Sequence, residues 1–177
     1  AYSAEATPTV VMTVREFHVL DRSIQAAGVE AMTVEDIRWG RCDIKSVNLL
    51  ANVLARQQVK QARVFEAILV RAGLVTEGAV SNVMIIQRGA VVTAPEGPRI
   101  LSGVTRAMVL NLALREGLPV QERFVSQADL YDAEEVFLTG TTVEVLAVVR
   151  IDGKVIGNGR PGPITQRLAA RFAKQVD

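Results

Sequence analysis

Three dipeptides, Ala72-Gly73, Arg88-Gly89 and Asp152-Gly153, each stand between short runs of β-branched and aliphatic residues. Such pairs suit the tight two-residue turns of hairpins, because glycine accepts backbone angles that a side chain resists. They predict strand pairs of Phe65–Arg71 with Leu74–Val75, of Asn82–Ile86 with Ala90–Thr93, and of Val143–Ile151 with Lys154–Ile156. A chain that repeats this pattern has to bury a sheet.

Further strands are expected at Thr9–Val14, after the turn at Gly28, at Val120–Phe124 and at Val136–Thr139. Between them the hydrophobic period changes to that of a helix. Asp21–Ala27 offers one or two helical turns. Asp43–Gln58 puts Leu49, Leu50, Val53 and Leu54 on one face, with Asp43 or Ser46 available as a cap. Gly103-Val-Thr opens another helix, with Val104, Met108, Val109 and Leu112 along one side, and Gly117 ends it. A last helix starts after Gly162 with Pro163 in its first turn, and Ile164, Leu168, Ala169 and Phe172 line its inner face. The pattern is one α+β domain, strand-rich, with three or four helices. No repeat or low-complexity tract interrupts it.

Composition narrows the function classes. With 177 residues the chain can bury a real core. Apolar residues make up 49% and charged residues 22%, with a net charge of +1, which describes an ordinary globular protein. Near-balanced charge and 5% aromatic residues give no footing for nucleic acid or an anionic membrane. No run approaches the roughly 20 apolar residues of a membrane helix. A single cysteine, Cys42, excludes an internal disulfide and fits a reducing cytoplasm. One cysteine and one histidine cannot build a standard zinc site. His18, in an apolar, strand-like setting, reads as a structural histidine rather than a catalytic one.

Three polar clusters stand out from this apolar background. Glu35-Asp-Ile-Arg38-Trp-Gly-Arg41-Cys-Asp43-Ile-Lys45-Ser alternates charge with apolar residues just before a helix. It reads either as a solvated strand end or as a site in which Lys45 is a buried amine, able to lose its proton and attack an aldehyde. Val75-Thr-Glu77-Gly-Ala-Val-Ser81-Asn82 is either a plain turn or a turn that aims a carboxylate at a cationic ring. Gly103-Val104-Thr105 and Thr139-Gly-Thr141-Thr142 offer hydroxyls and backbone N–H groups, and the first opens a helix, an end that favours phosphate. Caps and turns explain each cluster, taken singly, about as well.

Together the segments DIRWGRCDIKSVNLLANVLA, GLVTEGAVSNV, ILSGVTRAMV and VFLTGTTVEV resemble, in order and spacing, the fold-type IV aminotransferases, with RCDIKS closest to the D-amino-acid branch. The resemblance runs from about Thr7 to Phe172. It implies an α+β fold of the D-amino-acid aminotransferase-like type, a strand-rich pseudo-barrel with flanking helices, and pyridoxal 5′-phosphate as cofactor. It implies that Lys45 holds the cofactor as a Schiff base and later moves a proton. Glu77 would pair with the pyridine nitrogen, keeping the ring an electron sink. The Val104 and Thr105 N–H groups, the Thr105 hydroxyl and Thr141 would bind the phosphate. Thr142 would lie near the substrate, Arg38 near the cofactor's phenolic oxygen, and Ser81 and Asn82 would support the turn that presents Glu77.

Family members carry a further N-terminal domain, and this sequence starts near the linker that follows it. Residues 1–15 therefore read as linker and first strand, and 16–177 as the cofactor-binding large domain. The small domain that would supply a phosphate arginine and grip the substrate carboxylate has no counterpart here, so full turnover is expected to be impaired. The expected partners are an amino acid, a 2-oxo acid and a second copy of the chain, with branched-chain L-amino acid transamination and aminodeoxychorismate lyase chemistry as alternatives on the same cofactor site. A reading of another class is a non-catalytic cofactor-binding or dimerisation module.

Overall fold

The computed structural model describes residues 5–7, 9–16 and 20–176. In chain order the elements are α1 (Arg22–Ala27), β1 (Val29–Glu35), α2 (Leu50–Ala62), β2 (Glu66–Arg71), β3 (Leu74–Gly78), β4 (Asn82–Gln87) and β5 (Ala90–Thr93). Then come α3 (Val104–Arg115), β6 (Val120–Glu122), β7 (Val125–Ser126), α4 (Gln127–Tyr131), β8 (Glu135–Gly140), β9 (Glu144–Ile151), β10 (Lys154–Val155) and α5 (Pro163–Val176).

The glycine-bearing dipeptides form the turns expected of them. Ala72 and Gly73 have φ of 52° and 75°, Arg88 and Gly89 52° and 72°, and Asp152 and Gly153 51° and 76°. Two successive positive φ values match the right-handed twist of the strands on either side. The hairpins β2–β3, β4–β5 and β9–β10 follow directly.

All strands join one sheet in the order β6-β5-β4-β8-β9-β1-β2-β3-β7, with β10 on β9. β1 runs parallel to both β2 and β9, and β5 parallel to β6, while the remaining pairings are antiparallel. The sheet curls into a half-barrel, and its central strands are covered on both faces. In β4, Val83 and Ile85 join the core with Ile68, Leu138 and Leu146. Met84 and Ile86 point the other way, to Val109 of α3 and to Leu168 and Phe172 of α5. Successive strand residues face opposite sides, so a strand buried on both faces reads as an unbroken apolar run. A third cluster seats Ala55 and Val59 of α2 on Ala67 and Leu69 of β2.

Two helix starts are built differently, and the difference shapes the site. α5 is capped from the sheet: Glu135 accepts from the Ile164 N–H at 3.0 Å and the Thr165 N–H at 2.7 Å. α3 begins at Gly103 with no side-chain cap.

Several expectations need correction. Residues 9–14 form no strand, and Val10, Val11, Met12 and Val14 are exposed. β-branched composition without a ladder partner is not enough to hold a strand. The long helix begins at Leu50 rather than near Asp43 or Ser46, and no side chain caps it. Its apolar residues Leu49, Leu50, Val53 and Leu54 face outward; Ala55 and Val59 are the residues buried against the sheet. Val104 is 77% exposed rather than packed. The expected strand Val120–Phe124 stops at Glu122 as β6, beside β5, and a separate strand, β7, follows beside β3. α4 was not expected, although Ser126 and Asp129 form a capping box before it. His18 lies outside the described residues.

Candidate active site

Four segments converge on one cleft of about 420 Å³. The loop after β1 supplies Arg38, Cys42 and Lys45. The end of β3 and the turn into β4 supply Glu77, Ser81 and Asn82. The loop into α3 supplies Leu101, Gly103, Val104 and Thr105, and the end of β8 supplies Thr139 and Thr141. The strand ends of a curled sheet face the same space, which is why residues a hundred positions apart meet there.

Glu77 is tightly held. Asn82 donates to its Oε2 at 2.9 Å, and the Leu101 N–H donates to the same oxygen at 3.0 Å. Arg38 Nη1 pairs with Oε1. Burial pushes the Glu77 carboxyl above its ordinary value, although the Arg38 charge and hydrogen bond oppose that. A carboxylate that is desolvated yet firmly bonded is suited to accept a hydrogen bond from a cation inside the cleft.

Arg38 is itself clamped. Its Nε and Nη2 donate to the two oxygens of Asp36, each at 2.9 Å, and Nη2 also reaches Thr76 Oγ1 and the Arg99 carbonyl. Burial would lower the guanidinium, but its bonds to Asp36 and its pairing with Glu77 outweigh that and hold it protonated. Every one of these bonds goes to protein, at the Glu77 end of the cleft.

Thr105 is buried and Thr141 exposed, and both line the cleft beside the uncapped start of α3. A β-carbon on Gly103 would stand 2.2 Å from Asn82 Oδ1, so glycine lets the helix start approach the Glu77 cradle. Thr139 Oγ1 is buried without a hydrogen-bond partner among the described residues.

Lys45 reaches the cleft, but it is exposed rather than buried. Residues 43–49 ride outside the sheet, with Val47 97% exposed. Thr142 is exposed and does not line the cleft. Ser81 supports the turn indirectly, by donating to Glu66 at 3.0 Å.

Asp36 and Leu101 were not foreseen as parts of the site. Asp36 carried a signal: an acid two residues before an arginine can bond both its backbone and its side chain, and the Arg38 N–H lies 3.1 Å from Asp36 Oδ1. Leu101 carried none, since its contribution is a backbone N–H brought 24 positions through the fold. Cys42 is buried in the cleft wall, donates to the Trp39 carbonyl at 3.3 Å, and has its thiol pushed up by burial, which makes it a poor nucleophile. No group of metal-binding side chains occurs among the described residues.

An amine, a buried carboxylate and an open helix start around one cleft define a class of protein. The chain belongs to the class IV aminotransferases, whose family model matches residues 1–151. Among named relatives it is 46% identical over 175 residues to the D-alanine aminotransferase of Bacillus licheniformis, covering 99% of this chain and 62% of the relative. It is 43% identical over 149 residues to the D-alanine aminotransferase of Listeria monocytogenes serotype 1/2a, covering 84% of this chain and 52% of the relative. A branched-chain amino acid aminotransferase from Thermobaculum terrenum, solved in its PLP form, superposes with a TM-score of 0.80 at 28% identity, over 89% of this chain and 54% of that one. The branched-chain aminotransferase of Thermoproteus uzoniensis, solved with norvaline, gives 0.76 at 32% identity, over 86% and 52%. The chain thus spans between half and two thirds of the length of these relatives.

The cleft fits a pyridoxal phosphate on its own terms. The amine of Lys45 suits an aldehyde, Glu77 a ring nitrogen, and the uncapped α3 start with Thr105 and Thr141 a phosphate. The Thr139 hydroxyl, buried in the same wall, has no hydrogen-bond partner among the described residues.

Proposed function

We propose that this chain is the pyridoxal-phosphate-binding part of an aminotransferase that exchanges the amino group of a D-amino acid with a 2-oxo acid. The observation that carries this is the junction of Lys45, Glu77 and the open start of α3 around one cleft. The cofactor, when bound, supplies an aldehyde for the amino group and a ring that draws off electrons.

The protein's own groups do the rest. Lys45 Nζ would hold the cofactor and, once the substrate amine has released it, would carry the proton taken from the substrate Cα. Glu77, fixed on Oε2 by Asn82 and Leu101, accepts from the ring nitrogen and keeps a proton there. Arg38 backs Glu77 from its other oxygen. The Val104 and Thr105 N–H groups, the Thr105 hydroxyl and Thr141 bind the phosphate. Thr142, next in the chain after Thr141, would lie near the substrate.

A second copy of the chain completes the picture. Val47, Leu49, Leu50, Val53 and Leu54, which follow Lys45 in the chain, are exposed apolar residues, and a second copy would cover them. No helix among the described residues is long and apolar enough to cross a membrane. A single cysteine suits a reducing compartment, and we assign the protein to the cytoplasm on that ground.

The D-alanine aminotransferase relatives, at 43–46% identity, favour D-substrates; the solved branched-chain relatives make L-branched-chain donors the second reading. The deciding assay follows pyruvate release from D-alanine with 2-oxoglutarate, beside keto-acid release from L-leucine. Turnover of D-alanine in large excess supports the proposal. Turnover of L-leucine alone overturns the choice of substrate.

A further inference from the structure

Outside the residues assigned to cofactor or substrate, one buried acid accepts more hydrogen bonds than Glu77 does. The Asp36 side chain is 0% exposed. Oδ1 accepts from the Arg38 N–H at 3.1 Å and Arg38 Nε at 2.9 Å, and Oδ2 accepts from Arg38 Nη2 at 2.9 Å and Thr76 Oγ1 at 3.0 Å. Arg71 Nη2 lies 3.0 Å from Oδ1 on the outer side. The Nε and Nη2 edge of the Arg38 guanidinium is therefore committed to one carboxylate, which leaves Nη1 to face Glu77.

We infer that Asp36 is a positioning residue for the Glu77 carboxylate: by gripping Arg38 in a forked pair, it limits the guanidinium to one contact with Glu77 and keeps an acceptor position on that carboxylate open for the cofactor ring. This rests on the reading of the cleft as a pyridoxal-phosphate site. The physical reason lies in the count of acceptor positions. Glu77 Oε2 already takes two donors, Asn82 and the Leu101 N–H, while Oε1 takes Arg38 Nη1. An ionised carboxylate oxygen has room for two donors, so one position on Oε1 remains. With its Nε and Nη2 edge held, the planar guanidinium cannot rotate and offers Glu77 a single N–H direction. Without Asp36, Nε loses its acceptor and only the Arg99 carbonyl and Thr76 Oγ1 hold Nη2, so the guanidinium can turn a second N–H onto Oε1. Protein donors would then fill Glu77, and its hydrogen bond to the ring would weaken.

The role is separable from plain structural support by a double-mutant cycle. Asp36→Asn keeps shape and volume but removes the charge that holds the guanidinium. Pyridoxal-phosphate affinity of the complete chain is measured by titration for wild type, Asp36→Asn, Glu77→Gln and the double variant. The ring-nitrogen chemical shift of ¹⁵N-labelled cofactor is recorded for each. If Asp36 acts through Glu77, Asp36→Asn weakens binding about tenfold, the scale of one charge-assisted hydrogen bond, and moves the ring signal toward the unprotonated position. In the Glu77→Gln background the same change has little further effect, because its target is gone. Equal fold-losses in both backgrounds, or an unmoved ring signal, overturn the inference.

Should Asp36→Asn fail to fold, Thr76→Val takes its place in the cycle. It is close in shape and removes the 3.0 Å bond that helps set Asp36. Failure of the wild type to bind the cofactor, or a Glu77→Gln variant that binds unchanged with an unchanged ring signal, overturns the site reading itself. That result is distinct from additivity in a cycle whose wild type binds.

Discussion

Asn82 Nδ2 lies 2.9 Å from Glu77 Oε2 and 2.9 Å from the Leu101 carbonyl, so one amide ties the carboxylate of β3 to the loop that leads into α3. The Glu77 end of the cleft and the loop before α3 are tied together by that amide. Asn82→Ala removes one bond to a charged group and leaves the Leu101 carbonyl unpaired, a loss of about 1.5–3 kcal/mol. The expected result is roughly tenfold weaker pyridoxal-phosphate binding, read by titration of the cofactor absorbance.

Gly103→Ala tests the same contact from the other side. The added β-carbon would stand 2.2 Å from Asn82 Oδ1, and the amide would have to yield. Overpacking of this kind costs about 1–3 kcal/mol. Thermal unfolding should show that destabilisation, together with a loss of cofactor affinity close to that of Asn82→Ala.

Acid stability should carry the signature of Asp36. Burial would raise this carboxyl, but the bonds and charge of Arg38 bring it from 3.8 to about 2. A group with a depressed folded-state value takes up a proton more readily when unfolded. Its stabilising effect is therefore present above pH 3.8 and is lost as pH falls toward about 2. Urea unfolding across that range should show stability falling with acidification in the wild type, with a shallower slope in Asp36→Asn.

Glu135 is a carboxylate whose work lies at a helix end, at the opposite end of β8 from Thr139 and Gly140. It accepts from the Ile164 and Thr165 N–H groups, at 3.0 and 2.7 Å. Glu135→Ala leaves both donors unmet and should lower stability by about 1–2 kcal/mol, seen as a lower urea midpoint. Cofactor affinity, measured at low urea, should stay unchanged, because no cleft residue depends on this cap.

The hairpins and most strands were legible because their signals are local. A dipeptide such as Asp152-Gly153 needs only its own backbone angles, and both φ values are positive as a two-residue turn requires. Burial was harder to read. Leu49, Leu50, Val53 and Leu54 follow an inward-facing pattern, yet they are exposed, while the smaller Ala55 and Val59 meet the sheet. An apolar helical stripe tells that a face is to be covered, not by what. The same limit applies to residues 9–14, whose β-branched run has no ladder partner among the described residues. In the site, Lys45, Glu77, Thr105 and Thr141 came from motif resemblance and share one cleft. The bonds that reach Glu77 from Leu101 and Arg38 depend on three-dimensional closure and have no linear signature, whereas the Asp36–Arg38 pair behind them is local in the chain.

The most direct test of the central claim is chemical trapping at Lys45. The protein is mixed with pyridoxal phosphate, reduced with borohydride, digested and analysed by mass spectrometry. A phosphopyridoxyl group on Lys45, lost in Lys45→Ala, is the predicted result. A label spread over other lysines, with the same yield in Lys45→Ala, would contradict it.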